Sequence, residues 1–204
     1  MASAKSIKVI YFDITGRAEI LRLLLNFVGK EFEDVRLARD KWPEIKPTTP
    51  FGQVPAMEVD GEMFAQSNAM ANYLAREFNL YGKTNRDALR IDTVSNLTED
   101  LIQAFAKSFR EQDPVKKEEI LKEVKTEAGP RFLGFFEKLL KENGTGYFVG
   151  DSITLADLVL FDICTGFLKV TVEDSIANFP LVKKLVETVG EQENIKKYVA
   201  ARSA

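Results

Sequence analysis

Tyr11 closes a β-branched, aromatic run, Ile7-Lys8-Val9-Ile10-Tyr11-Phe12, and Gly16-Arg17 follow at the entrance to a helical segment. A phenol, an arginine and the unpaired N–H groups of a helix start together form a site for an anion. In open sheets, ligands gather outside the carboxyl ends of strands, which is where Tyr11 falls. Phe12 takes the opposite face, so the two rings cannot both enter one core. Tyr11 reads either as a core tyrosine or as a member of such a site. Two further places carry polar chemistry. Gln66-Ser67 opens a helix, where a hydroxyl and free N–H groups either make a corner for a carboxylate or simply cap the helix. Gln53-Val54-Pro55 enters a strand, where the proline either holds a cis bond that exposes the Val54 backbone or sits at a sheet edge.

The composition narrows the chemistry. The chain has 204 residues and no histidine. A Ser-His-Asp triad, a Cys-His dyad, a histidine base and a histidine-ligated metal are all excluded. Cys164 is the only cysteine, so there is no internal disulfide and no CxxC pair. It lies among Phe161, Ile163, Phe167 and Leu168 and reads as a small buried hydrophobe. That usage fits a reducing, cytoplasmic setting. Lys and Arg number 28 against 31 Asp and Glu, a net charge of -3 that gives no reason to expect nucleic acid. The first residues lack an apolar leader, and no later run approaches the ~18 apolar residues of a membrane span. Any catalysis must rest on Tyr, Arg, Lys, hydroxyls, carboxylates, backbone groups or a bound cofactor.

The elements that would position these groups fall into two halves. Residues 7–12 and 32–37 read as strands, with a helix between them carrying Leu21, Leu24, Leu25 and Val28 at helical spacing. A strand, a helix and a strand in that space imply a parallel pair with a crossover. Pro43, Pro47 and Pro50 make the next stretch irregular. Val54–Val59 and Glu62-Met63-Phe64 flank Asp60-Gly61, the signal of a two-residue hairpin. A helix over 67–78 follows, with Ser67 as its N-cap. The order is βαβ, then ββα. Helical periodicity then covers 86–110, 116–143, 155–168, 180–189 and 195–201. Residues 1–79 thus form one domain, 80–83 a linker and 84–204 an all-helical domain. Thr154 and Asp157 have the spacing of a capping box, whose role is folding.

Taken in order, Tyr11-Phe12, Gly16-Arg17-Ala18-Glu19, Asp40-Lys41-Trp42-Pro43, Pro50-Phe51-Gly52-Gln53-Val54-Pro55, Asp60-Gly61 and Gln66-Ser67 resemble the cytosolic glutathione S-transferases. Ala75-Arg76-Glu77-Phe78, Tyr81-Gly82-Lys83 and Phe148-Val149-Gly150-Asp151-Ser152 agree. The resemblance covers nearly the whole chain and is strongest to the sigma class, which includes invertebrate enzymes and haematopoietic prostaglandin D synthase. It implies an α/β thioredoxin-like N-terminal domain, an all-α C-terminal domain and a homodimer. It implies glutathione as co-substrate, with no metal, and conjugation of hydrophobic electrophiles. Tyr11 takes the catalytic place and Arg17 lies beside the thiol. Phe12, Trp42, Lys46, Gln53, Val54 and the cis-proline Pro55 fall among the glutathione-binding positions, Gln66 and Ser67 hold the γ-glutamyl end, and Asp100 approaches it from the neighbouring subunit. Ile14, Thr15, Gln103, Ala104 and Lys107 are the expected electrophile-pocket residues.

Some positions depart from the prostaglandin synthase pattern. Lys107 stands where that enzyme has an aromatic wall, and Thr15 where it has a basic residue. Asn96, Glu99 and Asp100 match its divalent-ion cluster with one acid missing. The resemblance therefore favours conjugation. A glutathione-dependent isomerase or peroxidase is the alternative, and a crystallin-like structural or ligand-binding protein is the non-enzymatic one. Phe51 reads either as a dimer anchor or as a core residue.

Overall fold

The computed structural model describes residues 6–202. Contacts divide the chain into two units. One runs to Leu80 and resumes at Gln192, and the other is Tyr81–Glu191.

In the first unit, β1 (Ile7–Phe12) lies inside a four-stranded sheet of order β2-β1-β3-β4. It pairs in parallel with β2 (Glu33–Leu37) and antiparallel with β3 (Ala56–Val59). β4 (Glu62–Ala65) pairs antiparallel with β3. The parallel pair needs a crossover, supplied by α1 (Glu19–Phe27), in which Leu21, Leu23, Leu24 and Leu25 are all fully buried. Asp60 and Gly61 have φ of 50° and 91°, the left-handed pair that a tight hairpin demands. The irregular, proline-rich stretch holds one short helix, α2 (Trp42–Ile45), flanked by 3-10 turns. α3 (Ser67–Glu77) closes the ββα portion.

The last helix, α10 (Glu193–Arg202), belongs with this unit and packs on α1. The sequence reading carried the helical domain on to residue 204. Two contacts draw the segment back. Ile195 is fully buried, and Tyr198 and Arg202 both bond Glu19 on α1.

The second unit is helical throughout: α4 (Asn85–Arg110), α5 (Pro114–Glu123), α6 (Gly129–Asn143), α7 (Leu155–Thr165), α8 (Lys169–Val172) and α9 (Pro180–Gly190). The reading of 116–143 as one helix is corrected by a π-helical turn at Val124–Ala128. Pro130 has no N–H for the Thr126 carbonyl, so the ladder resets there, and the Gly129 N–H reaches Val124 instead. α7 starts on a capping box. The Asp157 carboxylate accepts the Thr154 N–H at 2.7 Å, the Thr154 hydroxyl at 2.9 Å and the Phe148 N–H at 3.0 Å. Burial pushes the Asp157 carboxyl up to about 6, against these bonds, which pull it down. Cys164 is buried and its thiol is pushed up to about 12 by burial, which keeps it protonated and inert. No helix among the described residues is long and apolar enough to cross a membrane.

Candidate active site

Strand register brings the polar segments of the first unit to one end of the sheet. Ile10 pairs with Ala56, so Tyr11 on β1 and Pro55 just before β3 stand side by side. Ala56 pairs with Ala65, which puts Gln66 beside Pro55 at the exit of β4. Phe12 pairs with Leu37, the last residue of β2, and the chain then turns into the segment carrying Trp42. With strands about 4.8 Å apart, Tyr11, Pro55 and Gln66 occupy a stretch of about 10 Å.

Tyr11 is 9 % exposed. The backbone N–H of Arg17 points to its hydroxyl oxygen at 3.4 Å. The oxygen accepts there, which leaves the phenolic proton for a ligand. The approach depends on Gly16, which has φ of 48° and lies under the ring. A Cβ at Gly16 would sit 2.7 Å from the Tyr11 hydroxyl and 2.8 Å from its Cε1. Ile14 and Thr15, on the turn between them, are exposed and half-buried respectively.

Phe12 is half-buried and touches both Tyr11 and Trp42, each with ring centroids 5.7 Å apart. Arg39 also lies over the Phe12 ring, 5.9 Å from its centroid. Phe12, Trp42 and Val54 pack against Ile10, Leu37 and Ala56 as a small cluster. Lys46 is exposed, and its stem runs beside Gly52, which has φ of 61°. The Val54–Pro55 peptide is cis, Pro55 is buried and Gln53 is exposed.

Gln66, not Ser67, is the N-cap of α3, and Ser67 is its first helical residue. Gln66 takes φ of 73° and ψ of 100° with no side-chain capping bond. A side chain held at positive φ costs of order 1–3 kcal/mol and persists only where the surrounding structure fixes it. The first helical bond runs from Met70 N–H to the Gln66 carbonyl. The earlier N–H groups therefore stay available for an anion.

Asp100, Gln103, Ala104 and Lys107 belong to the second unit. Their spacing puts them on one face of α4. Asp100, Gln103 and Lys107 are exposed and Ala104 is half-buried, while Gln103 donates to Glu99 at 2.6 Å. Among the described residues, no group of three or more His, Cys, Asp or Glu side chains is placed to hold a metal.

Sequence reasoning named Gly16 and Glu19 only within motifs and missed Arg22 altogether. Gly16 gave no sign of lying under the ring, because that contact needs the folded turn. Glu19 and Arg22 are both fully buried on α1. The available signal was two charges sitting one turn apart within a run of leucines.

The arrangement presents a phenolic donor at its centre. An open helix terminus lies on one side, and an indole and a lysine on the other. A helix terminus and a lysine suit an anionic ligand. Residues 7–76 match the glutathione S-transferase N-terminal domain and residues 99–202 the C-terminal domain. "Glutathione S-transferase 1" of Ascaris suum is 41% identical over 198 residues, covering 96% of each chain. A structure of rat hPGDS complexed with a quinoline is 30% identical, with a TM-score of 0.88 and 97% of each chain covered. Monomeric Na-GST-3 from the hookworm Necator americanus is 36% identical, with a TM-score of 0.85 and 97% of each chain covered.

Proposed function

The chain belongs to the glutathione S-transferase family and is an enzyme of that family, and we propose that Tyr11 activates the glutathione thiol as a thiolate for attack on hydrophobic electrophiles. The observation that carries this is the Arg17 N–H on the Tyr11 oxygen, 3.4 Å away. It polarises the phenol toward donating. A thiol with a reference pKa near 8.5 is only about 3% thiolate at pH 7. A donated O–H, with the charge of Arg17 nearby, stabilises the anion. Lowering the thiol by about two pKa units takes roughly 2.7 kcal/mol and makes it about three-quarters ionised. The bound peptide is the nucleophile, and the protein supplies position and field.

In this reading the γ-glutamyl carboxylate meets the α3 N-terminus at Gln66 and Ser67. The Val54 backbone pairs with the cysteinyl unit, supported by Gln53, Pro55 and Phe12. Trp42 and Lys46 hold the glycyl carboxylate. Ile14, Thr15, Gln103, Ala104 and Lys107 are assigned to the electrophile. We place the protein in the sigma class, in the cytoplasm, and as a homodimer in which Asp100 of one subunit serves the γ-glutamyl amine bound by the other. Support for the dimer is the apolar surface of the first unit. Phe51 is 66 % exposed, so it is not a core residue of this chain. Phe64 and Tyr73 are also exposed and flank a cavity of about 400 Å³ with Met57 and Met70 at its floor.

Replacing Tyr11 by Phe tests the assignment. The turnover number for an aryl halide should fall strongly while glutathione affinity stays within several-fold. Unchanged turnover would take Tyr11 out of the mechanism. The likeness to hPGDS favours a second reading, isomerisation at the same thiolate. Product mass separates the two, since conjugation adds the tripeptide and isomerisation returns it.

A further inference from the structure

Arg22 and Glu19 are each 0 % exposed, so neither faces a substrate. Arg22 Nη1 donates to the Ile14 carbonyl at 2.7 Å, and Nη2 reaches the Phe12 carbonyl at 3.5 Å. The Phe12 carbonyl ends β1 and the Ile14 carbonyl lies in the turn that follows. Nε donates to Asp34 at 3.0 Å. Glu19 lies 3.7 Å from Nη1 and is held in turn by two groups of α10, the Tyr198 hydroxyl at 3.0 Å and the Arg202 guanidinium. On the far side, Asp34 also accepts from Arg36 at 2.9 Å, and Arg36 meets Asp13, within the same turn, at 2.7 Å. Arg22, Arg36 and Arg202 balance Asp13, Asp34 and Glu19 in charge.

Such an array is an inefficient way to stabilise a helix–sheet contact. Desolvating the buried Arg22 and Glu19 offsets much of their attraction, and apolar side chains of similar size commonly do as well. What leucine cannot do is fix two backbone carbonyls in direction. A guanidinium fork does so, and the point charge of lysine does not.

We propose that Arg22 is a positioning residue for the Tyr11 turn and that α10, acting through Glu19, holds Arg22 in register. The catalytic consequence rests on the reading of Tyr11 as the thiolate stabiliser. Without the fork, the Phe12–Thr15 segment gains freedom. The Arg17 N–H and Gly16 then no longer hold the hydroxyl where the sulfur binds.

Arg22→Lys keeps the charge and removes the fork. The full-length protein is examined in two ways. Amide hydrogen exchange over residues 12–17, without glutathione, should quicken at least tenfold. In turnover, kcat should fall at least tenfold with the glutathione KM within threefold, and the thiolate absorbance of bound glutathione should shrink. Arg202→Gln leaves Arg22 in place and should move exchange in the same direction by a smaller factor. It decides the matter if Arg22→Lys does not fold. Unchanged exchange over 12–17 in Arg22→Lys, or in Arg202→Gln where the first variant is unfolded, overturns the proposal. So does a fall in thermal stability with kcat and thiolate absorbance unchanged. If the wild type itself forms no thiolate with glutathione, the transferase reading fails separately, and hydrogen exchange still decides the positioning role.

Discussion

Gly16→Ala is the substitution in which backbone geometry and catalysis are most tightly joined. The new Cβ would lie 2.7 Å from the Tyr11 hydroxyl, 2.8 Å from Cε1 and 3.1 Å from Cζ. Unstrained carbon contacts begin near 3.5 Å, so the ring, whose Cε1 would be 2.8 Å away, must retreat by about 0.7 Å. An L residue at φ of 48° adds about 1–2 kcal/mol of backbone cost. For a chain of this size that lowers the thermal midpoint by roughly 2–8 °C. The displaced hydroxyl does more. A misplacement of about 1 Å at a reacting group costs on the order of 10²-fold in rate. We therefore expect kcat/KM for an aryl halide to fall by about two orders of magnitude, with glutathione affinity by calorimetry within several-fold. Gly61→Ala is the control. Gly61 also has positive φ, 91°, but nothing lies within 4 Å of its Cβ position. It should carry the backbone cost and keep its activity. If Gly16→Ala retained turnover within twofold of wild type, the contact with Tyr11 would have no catalytic meaning.

Other consequences are measurable at the helix starts and at the surface. Asp157→Ala leaves the Phe148 N–H, the Thr154 N–H and the Thr154 hydroxyl without their acceptor. At about 1–3 kcal/mol for each buried orphan, partly relieved by relaxation, urea unfolding should show a loss of about 3–5 kcal/mol; a loss under 1 kcal/mol would contradict the reading. Because burial raises the Asp157 carboxyl to about 6, the folded chain holds a proton that the unfolded chain releases between about pH 4 and pH 6. The contribution of this group to stability is present below that window and lost as pH rises through 6. From pH 7 to pH 5.5, the wild type should gain about 1 kcal/mol relative to Asp157→Asn in urea titrations, and no relative change would place the carboxyl in its ordinary range. Phe51→Ala should weaken self-association at least tenfold in sedimentation equilibrium, as expected of a buried aromatic anchor. An unchanged dissociation constant, or a wild type that is monomeric throughout, would remove Phe51 as an anchor.

Legibility in the sequence followed the range of the interaction. The Asp60-Gly61 hairpin, the β1–α1–β2 crossover and the Thr154–Asp157 box are local, and residue type with spacing revealed each of them. The candidate site residues near the sheet end, Tyr11, Gln53, Val54, Pro55, Gln66 and Ser67, were named from the combined order of motifs rather than from any one of them. Three features were hidden. The π-helical turn before Gly129 arises where Pro130 breaks a ladder whose periodicity otherwise continues. Gln66 holds a positive φ that no property of glutamine announces. The return of α10 to the first unit depends on a bond between Arg202 and Glu19, far apart in the chain. Helical periodicity shows that a segment is a helix, and it does not say which helix will receive it.

The most direct test of the central claim is a difference ultraviolet spectrum of the protein with glutathione at neutral pH, for wild type and Tyr11→Phe. If Tyr11 stabilises the thiolate, a thiolate absorption band forms on binding to the wild type and is strongly reduced in the variant although glutathione still binds. A band of equal strength in both proteins, or glutathione bound to the wild type with no band, would contradict it.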